Sequence, residues 1–255
     1  MRIRLDAALV KRGLAESRAE AVRLIEAGHV TVSGSFATKS SRMVGSDEPI
    51  NVLVEKKYVS RGGEKMEHAL AHFQVDVQGR SILDAGVSTG GFTDCVLQRG
   101  ARRVFAVDVG TNQLHERIKA DDRVEWRDGV NVRELSYEDM PFDCSLVVAD
   151  LSFISLSKVM EPLMNVLRPE NDFAPQMILL VKPQFEAGRE EVSKGRGVIT
   201  DPAIHERACA DVATVVESLG GQVVGITESP IKGGEGNTEF LMFVNCPTRS
   251  VGLVS

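Results

Sequence analysis

Charged side chains end apolar runs at four places in this chain. Asp84 closes the run in "SILDAG", Asp108 closes "RVFAVDV", Asp150 closes "LVVADL" and Lys182 closes "MILLVKPQF". A charge in such a place is costly if it is buried without a partner. The first two flank "DAGVSTGGFTD", residues 84–94, a glycine-rich loop that opens a helix-like pattern. A dinucleotide fingerprint, G-x-G-x-x-G, would need glycine where Ser88 stands, and Asp84 would put a negative group close to the pyrophosphate. A phosphate loop needs Gly-Lys-Ser/Thr, and no lysine follows Gly91. The loop of Gly86, Ser88, Gly90 and Gly91 is left with an uncharged or zwitterionic nucleoside. Asp108, about 20 residues on, is placed to accept from the ribose hydroxyls.

These residues need elements to hold them. From Gly79 onward, strand-like and helix-like runs alternate. "SILDAG", "RVFAVDV", "CSLVVADLSF", "MILLVKPQF", "QVVGITES" and "TEFLMFVNC" read as strands. "FTDCVLQRGA", "TNQLHERIK", "SLSKVMEPLMNVL" and "DPAIHERACADVATVVESLG" read as helices, the last with Asp201 as N-cap and Pro202 at the first helical position. The alternation predicts an α/β fold, a doubly wound and mostly parallel sheet covered on both faces. Ligands of such sheets bind at the carboxyl ends of the strands, near the switch point. That rule puts Gly86, Asp108, Asp150 and Lys182 on one rim. Lys65 in "SRGGEK" and Glu239 in "GNTEFLMFV" fall at corresponding edges.

A different unit precedes this one. "LDAALVKRGL" has apolar residues at helical spacing, and "SRAEAVRLIEAGHV" opens with a capping box, Ser17 and Glu20, and stops at Gly28. "VTVSGSFATKSSRMV" alternates around a Ser33-Gly34 turn, and "INVLVEKKYV" adds a strand. The net charge is −6, yet residues 1–65 carry +4 and the remainder −10. A basic head on an acidic body can mark a module that binds a polyanion. The serine-capped helix, glycine stop, strand and glycine turn of "SRAEAVRLIEAGHVTVSG" resemble the S4-like RNA-binding fold, a small α+β domain. That resemblance nominates Arg4, Lys11, Arg12, Arg18 and Arg23 as RNA contacts. The expected boundaries are 1–55 for the head, 56–63 for a linker and 64–255 for the α/β domain.

The loop "DAGxSxGG…D" with its downstream Asp108 resembles the S-adenosylmethionine site of doubly wound, Rossmann-like methyltransferases. In that layout Asp84, Gly86, Ser88, Gly90, Gly91 and Asp108 bind the cofactor and Asp128 flanks the adenine. In chain order, "SRGGEK", "DAGVSTGGFTD", "VVADLSFISL", "LVKPQFE" and "GNTEF" resemble the TlyA family of ribosomal RNA 2′-O-methyltransferases, related to the FtsJ type. The resemblance runs over nearly the whole chain. It implies a Lys-Asp-Lys-Glu tetrad at Lys65, Asp150, Lys182 and Glu239, and methylation of a cytidine ribose. Lys182 would take or polarise the hydroxyl proton, and a second ammonium at Lys65 would favour its neutral form. The chain departs from the family at Lys56-Lys57-Tyr58-Val59, where Arg-x-Trp-Val is usual, and at Val87, where alanine is common. Its ends resemble the shorter members that act on large-subunit (23S) RNA alone, with 16S RNA the wider alternative. The partner is then ribosomal RNA or a ribosomal subunit. A competing reading is a non-catalytic ribosome-assembly factor on the same scaffold, and a third is a nicotinamide-dependent oxidoreductase.

Composition bounds the rest. Four dispersed cysteines show no zinc spacing and read as buried small hydrophobes. The N-terminus lacks a signal-peptide core and no stretch is long enough to span a bilayer, so a cytoplasmic protein without a membrane partner is expected. Family members are often labelled haemolysins, but nothing in the sequence supports pore formation. His68 and His72 are spaced four apart without a third ligand, and no metal is expected.

Overall fold

The computed structural model describes residues 2–53 and 57–248. The chain divides into two units, Met1–Lys57 and Tyr58–Ser255.

The first unit contains β1 (Ile3–Arg4), α1 (Leu5–Lys11), α2 (Arg18–Glu26), β2 (Val30–Val32), β3 (Ser35–Phe36), β4 (Met43–Val44) and β5 (Ile50–Val52). Leu5, Leu9, Ile25, Val30, Val32, Val44 and Ile50 share one core, so the apolar stripe of each helix and the inner faces of the strands meet. Strands β3, β2 and β5 form an antiparallel sheet and β1 pairs with β4. Ser33 and Gly34, at φ 50° and 81°, make the two-residue turn between β2 and β3. Two positive φ values in succession match the right-handed twist of a hairpin. Ser17 caps α2 by accepting from the Glu20 N–H at 3.2 Å. The Glu20 carboxylate reaches past the capping residue and accepts from the Glu16 N–H at 2.6 Å.

The second unit contains α3 (Gly62–His72), β6 (Ser81–Ala85), α4 (Gly91–Gln98), β7 (Arg103–Asp108), α5 (Glu116–Lys119), β8 (Val124–Asp128), β9 (Leu146–Ala149), α6 (Met160–Asn165), β10 (Gln176–Val181), α7 (Pro183–Glu186), α8 (Arg189–Lys194), α9 (Pro202–Ser218), β11 (Gln222–Glu228) and β12 (Phe240–Asn245). Its seven strands run in the order β11-β12-β10-β9-β6-β7-β8. The five from β10 to β8 are mutually parallel, and β12 is antiparallel to β10 and β11. The protein is thus α/β with a mostly parallel, doubly wound sheet and a small α+β unit ahead of it. Alternate residues of the central strands enter two cores, one on each face: Leu83, Phe105 and Val107 in one, Ile82, Val104 and Ala106 in the other.

Two helical expectations are shortened. "SLSKVMEPLMNVL" divides into a 3-10 turn at 156–158 and then α6. Pro162 explains the break, because a proline ring in a continuous helix would clash with the carbonyl four residues back. "TNQLHERIK" yields only α5, because Asn112 takes φ 57° and carries the chain as a loop. Residues 58–63, read from the sequence as linker, are packed into the second unit. Tyr58 is 4% exposed and lies in the core with Met66 and Phe92. The Val59 N–H donates to buried Asp94 on α4 at 2.8 Å. Lys56 lies outside the described residues. No helix among the described residues is long and apolar enough to cross a membrane.

Candidate active site

The switch point of the sheet lies between β6, whose successors β7 and β8 lie to one side, and β9, whose successor β10 lies to the other. Two loops leave it side by side. Ala85 pairs with Ala149, and the Asp150 N–H donates to the Ala85 carbonyl at 3.1 Å, so Gly86 and Asp150 follow at the same level. Gly86 needs to be glycine on two counts: its φ is +84°, and a Cβ there would meet the Asp150 carbonyl oxygen at 2.6 Å. On the other side Val181 of β10 pairs with Phe240 of antiparallel β12. One step further along the same register sets Lys182 opposite Glu239. Sheet pairing alone therefore lines up the Gly86 loop, Asp150, Lys182 and Glu239 on one edge.

Lys65 arrives on α3, whose first turn packs closely on Gly91 of α4 and whose Gly63 backs onto Tyr58. A Cβ on Gly91 would lie 2.3 Å from the Ser60 hydroxyl and one on Gly63 would enter the Tyr58 ring. The four charged residues then form two ion pairs. Lys65 Nζ meets Glu239 Oε2 at 2.6 Å, with the side chains 10% and 4% exposed. Lys182 Nζ meets Asp150 Oδ1 at 2.6 Å and donates to the Ser152 hydroxyl at 2.9 Å. Buried charges of opposite sign are thus mutually compensated, which their burial requires.

Three adjoining cavities reach Asp150, Lys182 and Glu239, while Lys65 stands behind Glu239 and lines none of them. One of about 520 Å³ is lined by Gly86, Ser88, Asp108, Gly110, Gln113, Asn131 and Asp150, among others. A smaller one of about 90 Å³ lies between Ser60, Gly86, Ser88, Gly91 and Asp150. The largest, about 960 Å³, has Lys182, Gln184, Phe185 and Glu239 in its wall and shares Arg133, Ser152, Phe153 and Ile154 with the first. Asp108 organises the first: its carboxylate accepts from the Ser88 N–H at 2.8 Å and the Gly110 N–H at 2.7 Å. Each carboxylate oxygen keeps a further lone pair for a hydroxyl.

The cofactor candidates separate by position. Gly86, Ser88, Gly91 and Asp108 line the two smaller cavities. Asp84 does not: it is fully buried beneath the loop, where Oδ2 accepts from the Thr93 hydroxyl at 2.6 Å and Oδ1 has no partner among the described residues. Burial, opposed by the Thr93 bond and assisted by the negative charges of Asp150 and Asp108, pushes its carboxyl up to about 7. Gly90 also stands back from the cavities, at φ 94° against Ile118 and Leu114. Asp128 lies on the rim opposite Asp108, but its carboxylate is turned to the Asn112 N–H at 2.7 Å and is not in the cavity wall. It braces the 109–115 loop. Ser60, Gln113, Asn131 and Ser152 line the site or hold its residues, and sequence reasoning passed over them because no charge or spacing marks them.

In the first unit the nominated cations also divide. Arg12 donates to the Glu48, Gly45 and Ser46 carbonyls at 2.7, 2.8 and 2.9 Å, so it fastens the turn before β5. Arg4 and Arg18 both meet buried Asp6, at 3.0 and 2.9 Å, and hold its carboxyl well below the usual range. Lys11 and Arg23 are exposed on their helices. Among the described residues no cluster of His, Cys, Asp and Glu could hold a metal. His68 instead faces the Thr227 hydroxyl at 3.4 Å.

Comparison with known proteins agrees with this division. A family model described as FtsJ-like methyltransferase matches residues 58–246, and one described as S4 domain matches residues 3–50. The 16S/23S rRNA (cytidine-2′-O)-methyltransferase TlyA of Mycobacterium tuberculosis is 43% identical over 249 residues, covering 97% of this chain and 91% of that protein. Hemolysin A of Brachyspira hyodysenteriae is 39% identical, covering 94% of this chain and 98% of that one. A solved structure of a Streptococcus thermophilus protein described as a hemolysin superposes with a TM-score of 0.75 at 39% identity, covering 99% of this chain and 92% of the other.

Proposed function

This chain belongs to the TlyA family of FtsJ-like methyltransferases that carry an S4 domain, and from that membership we propose how its residues methylate RNA. It is an S-adenosylmethionine-dependent 2′-O-methyltransferase that acts on cytidine in ribosomal RNA. The substrate is 16S or 23S RNA, presented within a ribosomal subunit.

The residues fit the cofactor. Gly86, Ser88 and Gly91 line the two smaller cavities with little side chain in the way, and Asp108 keeps carboxylate lone pairs for a ribose. When bound, S-adenosylmethionine supplies an electrophilic methyl on a sulfonium. The largest cavity, which shares a wall with the cofactor cavity, takes the target nucleotide. An ammonium has three donors, and two of those on Lys182 go to Asp150 and Ser152. The third direction is left for the 2′-oxygen. Lys182, as an ammonium, thus polarises and orients that oxygen for in-line attack, and the hydroxyl proton is released to solvent. The Lys65–Glu239 pair sits beside it, with Glu239 opposite Lys182 in register.

The observation that carries this reading is the pairing of both lysines with carboxylates at the edge shared by the two cavities. It is tested by single-turnover methyl transfer at saturating cofactor. Lys182→Ala should lower the rate about a hundredfold or more while leaving S-adenosylmethionine affinity near that of the wild type. Near-normal turnover would remove Lys182 from this role. The acidic α/β unit should not grip RNA by charge, so the S4 domain supplies much of the affinity, with Lys11 and Arg23 among its exposed cations.

A further inference from the structure

We propose that Gln184 reads the base of the target nucleotide by accepting a hydrogen bond from the exocyclic 4-amino group of cytosine; the assignment rests on the reading of the substrate as cytidine. Gln184 is the second residue of α7, two places after Lys182, and lines the same cavity as Lys182 and Glu239. Its position is fixed from both ends. Pro183 sets the first helical residue and the Phe185 N–H donates to the Lys182 carbonyl at 2.9 Å. The Glu186 carboxylate then ties α7 to the facing loop, accepting from the Ser155 hydroxyl at 2.6 Å and the Leu156 N–H at 2.8 Å.

Against that rigid frame, Gln184 Oε1 is buried and has no hydrogen-bond partner among the described residues. Buried side-chain acceptors are nearly always satisfied, so this orphan, on a residue that lines the cavity, gains a hydrogen bond if the amide turns toward a partner from outside the chain. The same cavity is lined by Phe153, Ile154 and Phe185, which cannot donate, and by donors on Arg133, Ser155 and Lys158, none of which is hydrogen-bonded to Gln184 Oε1. The partner must be a donor. A phosphate is acceptor-only and is excluded, and the target 2′-hydroxyl is already assigned to Lys182. What a cytidine has left is its 4-amino group. An amide turns easily about its last bond, so the oxygen can be presented to a base without moving α7. Sequence reading saw the "LVKPQF" motif but absorbed only its lysine.

The test is a double-mutant cycle across protein and RNA. Once the methylated position is mapped, two RNAs are made and assembled into otherwise unmodified ribosomal subunits, one with cytidine there and one with the analogue that carries hydrogen in place of the 4-amino group. With wild-type protein, kcat/KM should fall roughly ten- to a hundredfold on the analogue. Gln184→Met should show a similar fall on the cytidine RNA and no further fall on the analogue. Gln184→Glu, whose carboxylate can only accept, should still discriminate between the two RNAs. Calorimetry with S-adenosylmethionine checks that each variant is folded. Equal methylation of both RNAs by the wild type overturns the proposal, whatever the variants do, and so does a Gln184→Met enzyme that still discriminates. Failure of the wild type to methylate the cytidine RNA would instead overturn the reading of the substrate.

Discussion

Replacing Asp84 with asparagine should make the protein more stable at neutral pH and change the shape of its pH dependence. The carboxyl is fully buried, Oδ1 has no partner among the described residues, and Thr93 supplies its hydrogen bonds. Its ionisation is displaced from the ordinary 3.8 to about 7, mainly by burial. Because the folded state holds this proton more tightly than the unfolded state, the contribution to stability is fully present below pH 3.8. It is lost as the pH rises toward 7, and the loss is complete above it. Each unit of displacement is about 1.4 kcal/mol, so the whole penalty approaches about 4 kcal/mol. Between pH 5 and pH 8 the wild type should lose roughly 2–3 kcal/mol relative to Asp84→Asn, which is neutral throughout. Asparagine keeps an oxygen for Thr93 and is nearly isosteric. Urea unfolding without ligand, followed by the fluorescence of Trp126, the sole tryptophan and a residue of β8, reads the unit in question. A wild-type-to-variant difference that stays constant from pH 5 to pH 8 would refute the reasoning.

Gly86→Ala should weaken S-adenosylmethionine binding at least tenfold by calorimetry and cost about 1–3 kcal/mol in stability, since its Cβ meets backbone, not a side chain that can move. Arg12→Ala should lower the stability of the first unit by about 1–2 kcal/mol, through the three carbonyls it leaves unpaired. Arg23→Ala should leave the melting temperature in place while weakening RNA binding and reducing its salt dependence.

Architecture was legible because periodicity and punctuation report it. Apolar runs of strand length, Pro202 behind Asp201 and the Ser33-Gly34 turn each carry a local physical cause, and the α/β sheet followed from their alternation. The rim was legible for a related reason: Asp150 and Lys182 are charges that end buried strands, and such residues reach the carboxyl edge of a parallel sheet. What stayed hidden depends on partners distant in the chain. Nothing near Asp84 in the sequence reveals that Thr93 of α4 covers it, and an acidic residue before a glycine loop reads as a ligand contact. Asp128 is turned away by Asn112, and Arg12 by a turn more than thirty residues on. Tyr58 reads as linker until α3 and α4 close around it. Gln184 carries no charge and no special spacing, and only its unmet hydrogen bond in the folded chain draws notice.

The central claim is tested most directly by the fate of the methyl group. Ribosomal subunits lacking the modification are incubated with the protein and S-adenosylmethionine carrying an isotopically labelled methyl. The RNA is then digested and its nucleosides resolved by mass spectrometry. The label should appear on the 2′-oxygen of a cytidine, and Lys182→Ala should leave that nucleoside unlabelled. Label on a base atom, or equal transfer by the wild type and Lys182→Ala, would contradict the account.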